Sequence, residues 1–254
     1  MSWLRRRIAE IQTAFMLLTR LPAGRLGLFV PDLAAAKWAF PLAGLVVGGI
    51  SAGIYIGLQV LGLPAGLAAV LALAAGMFVT GGLHEDGLAD CADGFGGGQT
   101  QEQKLEIMKD SRVGSYGVLA LILVIAARIM ALAALPATQQ SLMMVISLAM
   151  VSRLMMVMYL HWLPSARADG LGHQAGKTAP WSVLVAAALC VPAVLCGGNV
   201  IFFSLAALGG TALIIGWVAN RQIGGQTGDV CGAGQLLSET AGWIMLAALL
   251  QNGM

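Results

Sequence analysis

Residues 65–83 read AGLAAVLALAAGMFVTGGL and run without a break into His84-Glu85-Asp86-Gly87-Leu88-Ala89-Asp90-Cys91-Ala92-Asp93-Gly94. The first part is uncharged and has the length, about 20 residues, that carries a helix across a hydrocarbon core about 30 Å thick. The second part places four of the chain's twelve carboxylates within nine residues. Read as a helix, Asp86, Asp90 and Asp93 fall at i, i+4 and i+7, within an arc of about 60° on one face. Like charges at that spacing repel, so the face calls for a cation. Oxygen donors with no thiolate among them suit Mg²⁺ or Mn²⁺ better than zinc. A solvated acidic helix face is the plainer reading of such a run. Carboxylates hemmed in by membrane-length apolar segments are costly without a task, which favours a metal site.

Working outward, the whole chain has the same oily character. Hydrophobic residues make up 58% and charged residues 10% of it, with a mean hydropathy of +0.83, against about 25% charged in soluble domains. The sequence therefore predicts an all-α, polytopic integral membrane protein forming one membrane domain over residues 1–254. No long basic tract is present, which argues against nucleic acid as a partner. Cys91, Cys190, Cys196 and Cys231 contain no CxxC pair and read as four small buried hydrophobes rather than a disulfide or zinc framework. Arg5, Arg6 and Arg7 precede a short apolar run that is interrupted by Thr19 and Arg20 and has no small-residue cleavage site. Residues 3–20 are expected to form an amphipathic helix on the membrane surface, retained in the mature protein.

Apolar segments near 39–61, 65–83, 117–135, 141–160, 181–196, 200–219 and 236–251 predict about seven spans, the fifth and the last being short. Arg5, Arg6, Arg7, Arg20, Arg25 and Lys37 all precede the first span, which sets the N-terminus on the cytoplasmic side. The connections 84–116, 161–180 and 220–235 then share the cytoplasmic face. The outward turns 62–64, 136–140 and 197–199 carry no charge at all, so the chemistry is expected on the inner side. Gly44, Gly48, Gly49 and Gly53 read as close helix packing.

The first connection continues with a Gly-rich stretch, 94–98, and then Lys104, Lys109, Asp110, Ser111, Arg112, Val113, Gly114 and Ser115. Lys109 and Arg112, three apart, are close enough to grip one phosphate; ordinary positive-inside flanking charge is the competing reading. With the acids upstream, the combination looks like a site for a metal-bound pyrophosphate, with Lys104, Ser111 and Gly114 near the substrate. In the second connection Arg167, Asp169 and Gly170 can reach substrate, while His161, beside Trp162, reads as an interface residue. In the third, Asp229 is a lone acid at the start of the last span, which suggests a further metal ligand or a substrate anchor. Arg128, Arg153 and Glu239 lie inside spans, where charges must pair or reach water, and a structural pairing of one of the arginines with Glu239 is one reading.

These residues resemble a known family, the adenosylcobinamide-GDP ribazoletransferases or cobalamin synthases. The resemblance is carried by Gly81 to Gly94, by Ile107-Met108-Lys109-Asp110-Ser111-Arg112-Val113-Gly114-Ser115-Tyr116-Gly117, by Thr227-Gly228-Asp229 with Leu237-Ser238-Glu239, and by the Leu-Thr-Arg-Leu-Pro ending of Phe15 to Pro22. It covers essentially the whole chain, although the third region stands in more Gly-rich company than the family leads one to expect. What the resemblance implies is a Mg²⁺-dependent transferase of the bacterial inner membrane, with its active site on the cytoplasmic side. A hydroxyl of α-ribazole or its 5′-phosphate attacks the phosphate on adenosylcobinamide and expels GMP, giving adenosylcobalamin or its 5′-phosphate. Asp86, Asp90 and Asp93 would hold the metal, with Asp229 a further ligand, while Lys109 and Arg112 would grip the GDP phosphates. His84 or one of the acids would take the hydroxyl proton. The bilayer is the standing partner, and a homo-oligomer or contact with other cobalamin-pathway enzymes stays open. Two other readings remain: a CDP-alcohol phosphotransferase of the phospholipid type, whose aspartate spacing differs, and a divalent-cation transporter, whose ligands would lie near the midplane of repeated halves.

Overall fold

The computed structural model describes residues 2–25 and 31–251, apart from the side chains of Leu171 and Gln174. No β-strand occurs among them; Ser165 and Gln226 form an isolated parallel bridge. An N-terminal helix, α1 (Trp3–Leu18), presents Trp3, Leu4, Ile8 and Met16 outward and buries Ala14 and Leu18. It is followed by α2 (Leu33–Ala36), a 3₁₀ turn over Lys37–Ala39, and α3 (Phe40–Val60), which together make one apolar run of 28 residues. Then come α4 (Ala65–Thr80), α5 (Leu83–Gly97), α6 (Gln101–Ile107), α7 (Ser115–Ala133), α8 (Gln139–Trp162), α9 (Leu171–Gln174), α10 (Pro180–Cys196), α11 (Ile201–Ile223) and α12 (Gly228–Gln251).

All seven expected apolar segments lie in helices, which differ in length. Among the described residues five helices are long and apolar enough to cross a membrane: Leu33–Val60, Ser115–Ala133, Gln139–Trp162, Ile201–Ile223 and Gly228–Gln251; the bent pair α4 and α5, taken together, makes a sixth. At 1.5 Å per residue, α4 with 16 residues and α10 with 17 are only about 24–26 Å long. The second expected span does not run on to residue 83. Gly81 and Gly82, with φ of 68° and 71°, take the left-handed conformation that glycine adopts at no steric cost, and α5 leaves α4 at 89°. The last span is not short: it begins at Gly228, inside the expected connection, and has 24 residues. The predicted surface helix ends at Leu18 rather than Arg20.

The bundle closes because small residues let backbones meet. A methyl group at Gly44 would collide with the Ala149 carbonyl of α8, and one at Gly48 would lie 2.7 Å from the Ala149 side chain. Gly49 and Gly53 face open space, so only half of the predicted glycine stripe is a packing seam. Tyr55, Leu132, Met144, Leu148, Leu208, Trp243 and Leu246 fill the core, and the Tyr55 hydroxyl is satisfied by donating to the Leu135 carbonyl at 2.7 Å. Of the cysteines, Cys91, Cys190 and Cys231 are buried as expected, whereas Cys196 is exposed at the end of α10.

Charge is also buried inside. Glu239 of α12 accepts from Arg128 of α7 at 2.8 Å and from Arg153 of α8 at 2.6 Å, as well as from Ser152 and Gln235. The Arg128 guanidinium lies 4.3 Å from the centre of the Trp243 ring. Ions within a bilayer are tolerated only when paired in this way, and the pairing ties three helices together.

Candidate active site

The acidic helix α5 lies across the N-terminal ends of α7 and α12, and each of its faces has a different task. Gly87 permits one approach: a methyl there would sit 2.7 Å from the Asp229 carbonyl oxygen, so α5 rests directly on the first turn of α12. Asp86 and Asp229 consequently line the same cavity. Asp90, one turn along, is pushed up to about 7, first by burial and then by the negative charges of Asp229 and Asp86. Arg167 opposes that shift. Three carboxylates on two helices therefore share one region with the Arg167 guanidinium beside them.

Asp93 does something else. Its two carboxylate oxygens accept from the backbone N–H of Gly114 at 2.7 Å and of Gly117 at 2.9 Å, which satisfies orphan donors at the start of α7. Gly114 is the residue before that helix, and a methyl at Gly114 or Gly117 would run into the Asp93 carboxylate. The i, i+4, i+7 spacing put all three aspartates on one face. The tertiary packing splits that face, turning Asp86 and Asp90 toward α12 and Asp93 toward α7. Among the described residues no three His, Cys, Asp or Glu side chains converge closely enough to hold a metal ion.

His84, in the first turn of α5, is 2% exposed. Burial, then the Arg153 charge, pushes its imidazole down to about 3, and neither ring nitrogen has a hydrogen-bond partner. It borders a cavity of about 30 Å³ shared with Glu85, Arg128, Arg153 and Glu239. That exceeds the about 10–15 Å³ one water needs.

The other expected residues lie on the connections. Arg167 approaches the Asp229 carboxylate at 3.5 Å and donates to the Leu105 carbonyl at 3.2 Å, so it joins all three connections at once. Thr227 donates its hydroxyl to Asp229 at 3.2 Å and accepts the Val230 N–H. The second and third connections are stitched together by Ala166 N–H to the Gln226 carbonyl at 2.9 Å and Gln226 N–H to the Pro164 carbonyl at 2.8 Å. Lys104 donates to Gln222. Lys109 is paired with Asp169 at 2.8 Å, and Arg112 clasps Asp110 at 2.6 Å with 87% of its side chain exposed. Ser111 is exposed. Lys109 and Arg112 thus stand outside the acid cluster, engaged with separate aspartates. His161 bonds the Thr178 carbonyl at 2.8 Å, the interface role its setting suggested.

The expected pairing of one buried arginine with Glu239 extends to both, and sequence reasoning passed over the anchoring roles of Gln226 and Lys37. Gln226 donates to the Gly172 carbonyl at 3.2 Å, and the fully buried Lys37 donates to the Gly176 carbonyl at 2.8 Å. Both hold the second connection over the site. A glutamine amid glycines and a lysine ahead of an apolar run give no sign in the sequence of partners 54 and 139 residues away.

With this geometry in place, comparison with known proteins is specific. The family model described as cobalamin-5-phosphate synthase matches residues 10–247. A protein of Mesorhizobium japonicum is 39% identical over 249 residues, covering 98% of this chain and 96% of its own. One from Bradyrhizobium diazoefficiens is 42% identical over 253 residues, covering 98% and 97%. One from Chlorobaculum tepidum is 39% identical over 260 residues, covering 97% and 98%. Each is named adenosylcobinamide-GDP ribazoletransferase. No solved structure matches. On a match that runs nearly end to end, the chain belongs to the cobalamin-5-phosphate synthase family.

Proposed function

We propose that the chain joins ribazole to adenosylcobinamide-GDP and releases GMP, the nucleotide-loop assembly step of cobalamin synthesis, at the carboxylate cluster on α5 and α12. The observation that carries the chemistry is the approach of Asp86, Asp90 and Asp229 from two helices, with Arg167 beside them. Family membership and the printed names of the relatives supply the substrates.

By charge and donor type this cluster suits a hard divalent cation, around which its carboxylates would have to draw together, since no three of them converge among the described residues. The donors are oxygen only, and burial, with the Asp229 and Asp86 charges adding to it, makes Asp90 resist ionisation. Asp86, Asp90 and Asp229 would hold Mg²⁺, which when bound neutralises charge on the pyrophosphate oxygens. Asp93 holds the start of α7 instead. Arg167, held against Asp229 and the Leu105 carbonyl, would meet a phosphate oxygen, and Lys109, Arg112 and Lys104 would form an outer basic rim for the GDP phosphates. A ribose hydroxyl attacks the phosphorus bonded to the cobinamide, and the bond to the GMP oxygen breaks. The hydroxyl proton goes to one of the carboxylates rather than to His84, whose buried neutral ring is too weak a base.

The positive residues ahead of α3, together with the absence of charge in the opposite turns, support an inner-membrane protein with this end of the bundle in the cytoplasm. The test is GMP release by the purified protein in detergent, given adenosylcobinamide-GDP and α-ribazole, with and without Mg²⁺. Metal-dependent GMP with a matching cobalamin product is the expected result. GMP without that product would defeat the proposal.

A further inference from the structure

Beside the acid cluster lies an apolar cavity of about 90 Å³, several times the about 10–15 Å³ that one water occupies. Its walls are Leu18 of α1, Phe40 of α3, Met156 and Leu160 of α8, Ala175 after α9, and Cys231 of α12. All six are buried and belong to one hydrophobic cluster. The polar side chains on its border are the carboxylates of Asp86 and Asp229 and the ring of His84. The cavity is therefore oily within and anionic at one edge, and it opens on the groups proposed to hold the metal.

We propose that this cavity is the subsite for the aromatic base of the nucleoside substrate, which enters it edge-on and leaves its ribose at the carboxylate edge. The inference rests on the transferase reading above. Of the substrate parts in that reaction, only the dimethylbenzimidazole of ribazole is a flat ring system with no exocyclic polar group. Guanine would bring several donors and acceptors into walls of aliphatic carbon, a phenyl ring and a thiol, and each unpaired polar group costs binding. The corrin ring with its amide arms is far larger than the space. A riboside also suits the edge, because sugar hydroxyls donate to carboxylates. A phospholipid would place its anionic headgroup against Asp86 and Asp229, which repel it.

The depth of the cavity would then select the base by size. Ala175 is 1% exposed and lines the wall, so enlarging it shortens the space without touching Asp86, Asp90 or Asp229. The experiment measures kcat and KM for both substrates in the wild type, Ala175→Val and Ala175→Leu. It uses the α-ribosides of dimethylbenzimidazole and of unsubstituted benzimidazole, with folding checked by size exclusion in detergent. The expected result is a graded rise in KM for the dimethyl riboside, reaching about tenfold or more in Ala175→Leu. The KM for adenosylcobinamide-GDP should stay within about twofold, and preference should swing toward the smaller base. Should Ala175→Leu fail to fold, the milder Ala175→Val carries the same selective shift. The subsite proposal is overturned if an active, folded variant changes both KM values together or neither. It is equally overturned if mass spectrometry finds a co-purified lipid lost from the variants while riboside kinetics stay unchanged. A wild type that makes no cobalamin product would sink the transferase reading itself, and the subsite with it.

Discussion

Asp90 stands between two demands. It lies on a helix partly covered by the fold, and both Asp86 and Asp229 raise its affinity for a proton, to a pKa of about 7. A carboxyl raised from an unfolded value near 3.8 binds protons better in the folded state. Its contribution to stability is therefore lost as pH rises from about 4 through 7, and the penalty stays constant above that. Asp90→Asn removes the penalty. The variant should match the wild type in thermal unfolding near pH 4 and exceed it by a few degrees at pH 8, with the gap narrowing when Mg²⁺ is added to the wild type. Turnover of the same variant should fall by about a thousandfold or more, the scale of losing an electrostatic group at the reacting centre. Equal Tm values at pH 8, or full activity, would remove Asp90 from the site. Arg112, by contrast, is exposed and clasped by Asp110, whose carboxyl that contact holds down at about 2.

At the scale of elements, α5 works as a plate wedged between α7 and α12. One edge is fixed by the Asp93 carboxylate on the Gly114 and Gly117 amides, and the other by the bare Cα of Gly87 against the Asp229 backbone. Gly87→Ala must push α5 off α12, because the clash is with backbone and cannot be relieved by a rotamer. Overpacking of this kind costs about 1–3 kcal/mol, and a displacement of the order of 1 Å between reacting groups costs about a hundredfold in rate. The expected outcome is a folded protein with turnover down by about a hundredfold, read by GMP release beside a size-exclusion profile. Unchanged turnover would mean that the registry of α5 and α12 does not matter to the reaction.

For the molecule as a whole, the Arg128–Glu239–Arg153 cluster is what holds α7, α8 and α12 at fixed separation beneath the plate. Breaking a buried pair by removing one partner costs about 3–5 kcal/mol, because the remaining charge is stranded. Glu239→Gln strands two. Thermal unfolding in detergent should drop far more for this variant than for any change in the exposed connections, and pairing Glu239→Gln with Arg128→Met should restore part of the loss. If Glu239→Gln melts with the wild type, the cluster is not structural.

Composition and charge placement were sufficient for the helical membrane architecture, since lipid admits only helices or closed barrels and continuous apolar runs of about 20 residues suit the helix. They also located the acids at one end, because the turns at the other end carry no charge at all. The motifs around Asp86, Asp90, Asp229 and Lys109-Asp110-Ser111-Arg112 pointed to the family on their own. What periodicity could not decide was which way each residue on a face turns. Asp86, Asp90 and Asp93 are equivalent on a helical wheel, yet Asp93 caps α7 because α7 happens to start beside it, and Lys109 and Arg112 meet aspartates rather than one another. The 89° bend after α4, the meeting of Asp229 with α5, and the apolar cavity beneath α1 depend on contacts between residues tens to hundreds of positions apart. Local sequence determines which groups share a surface; only the packing of those surfaces determines which groups meet.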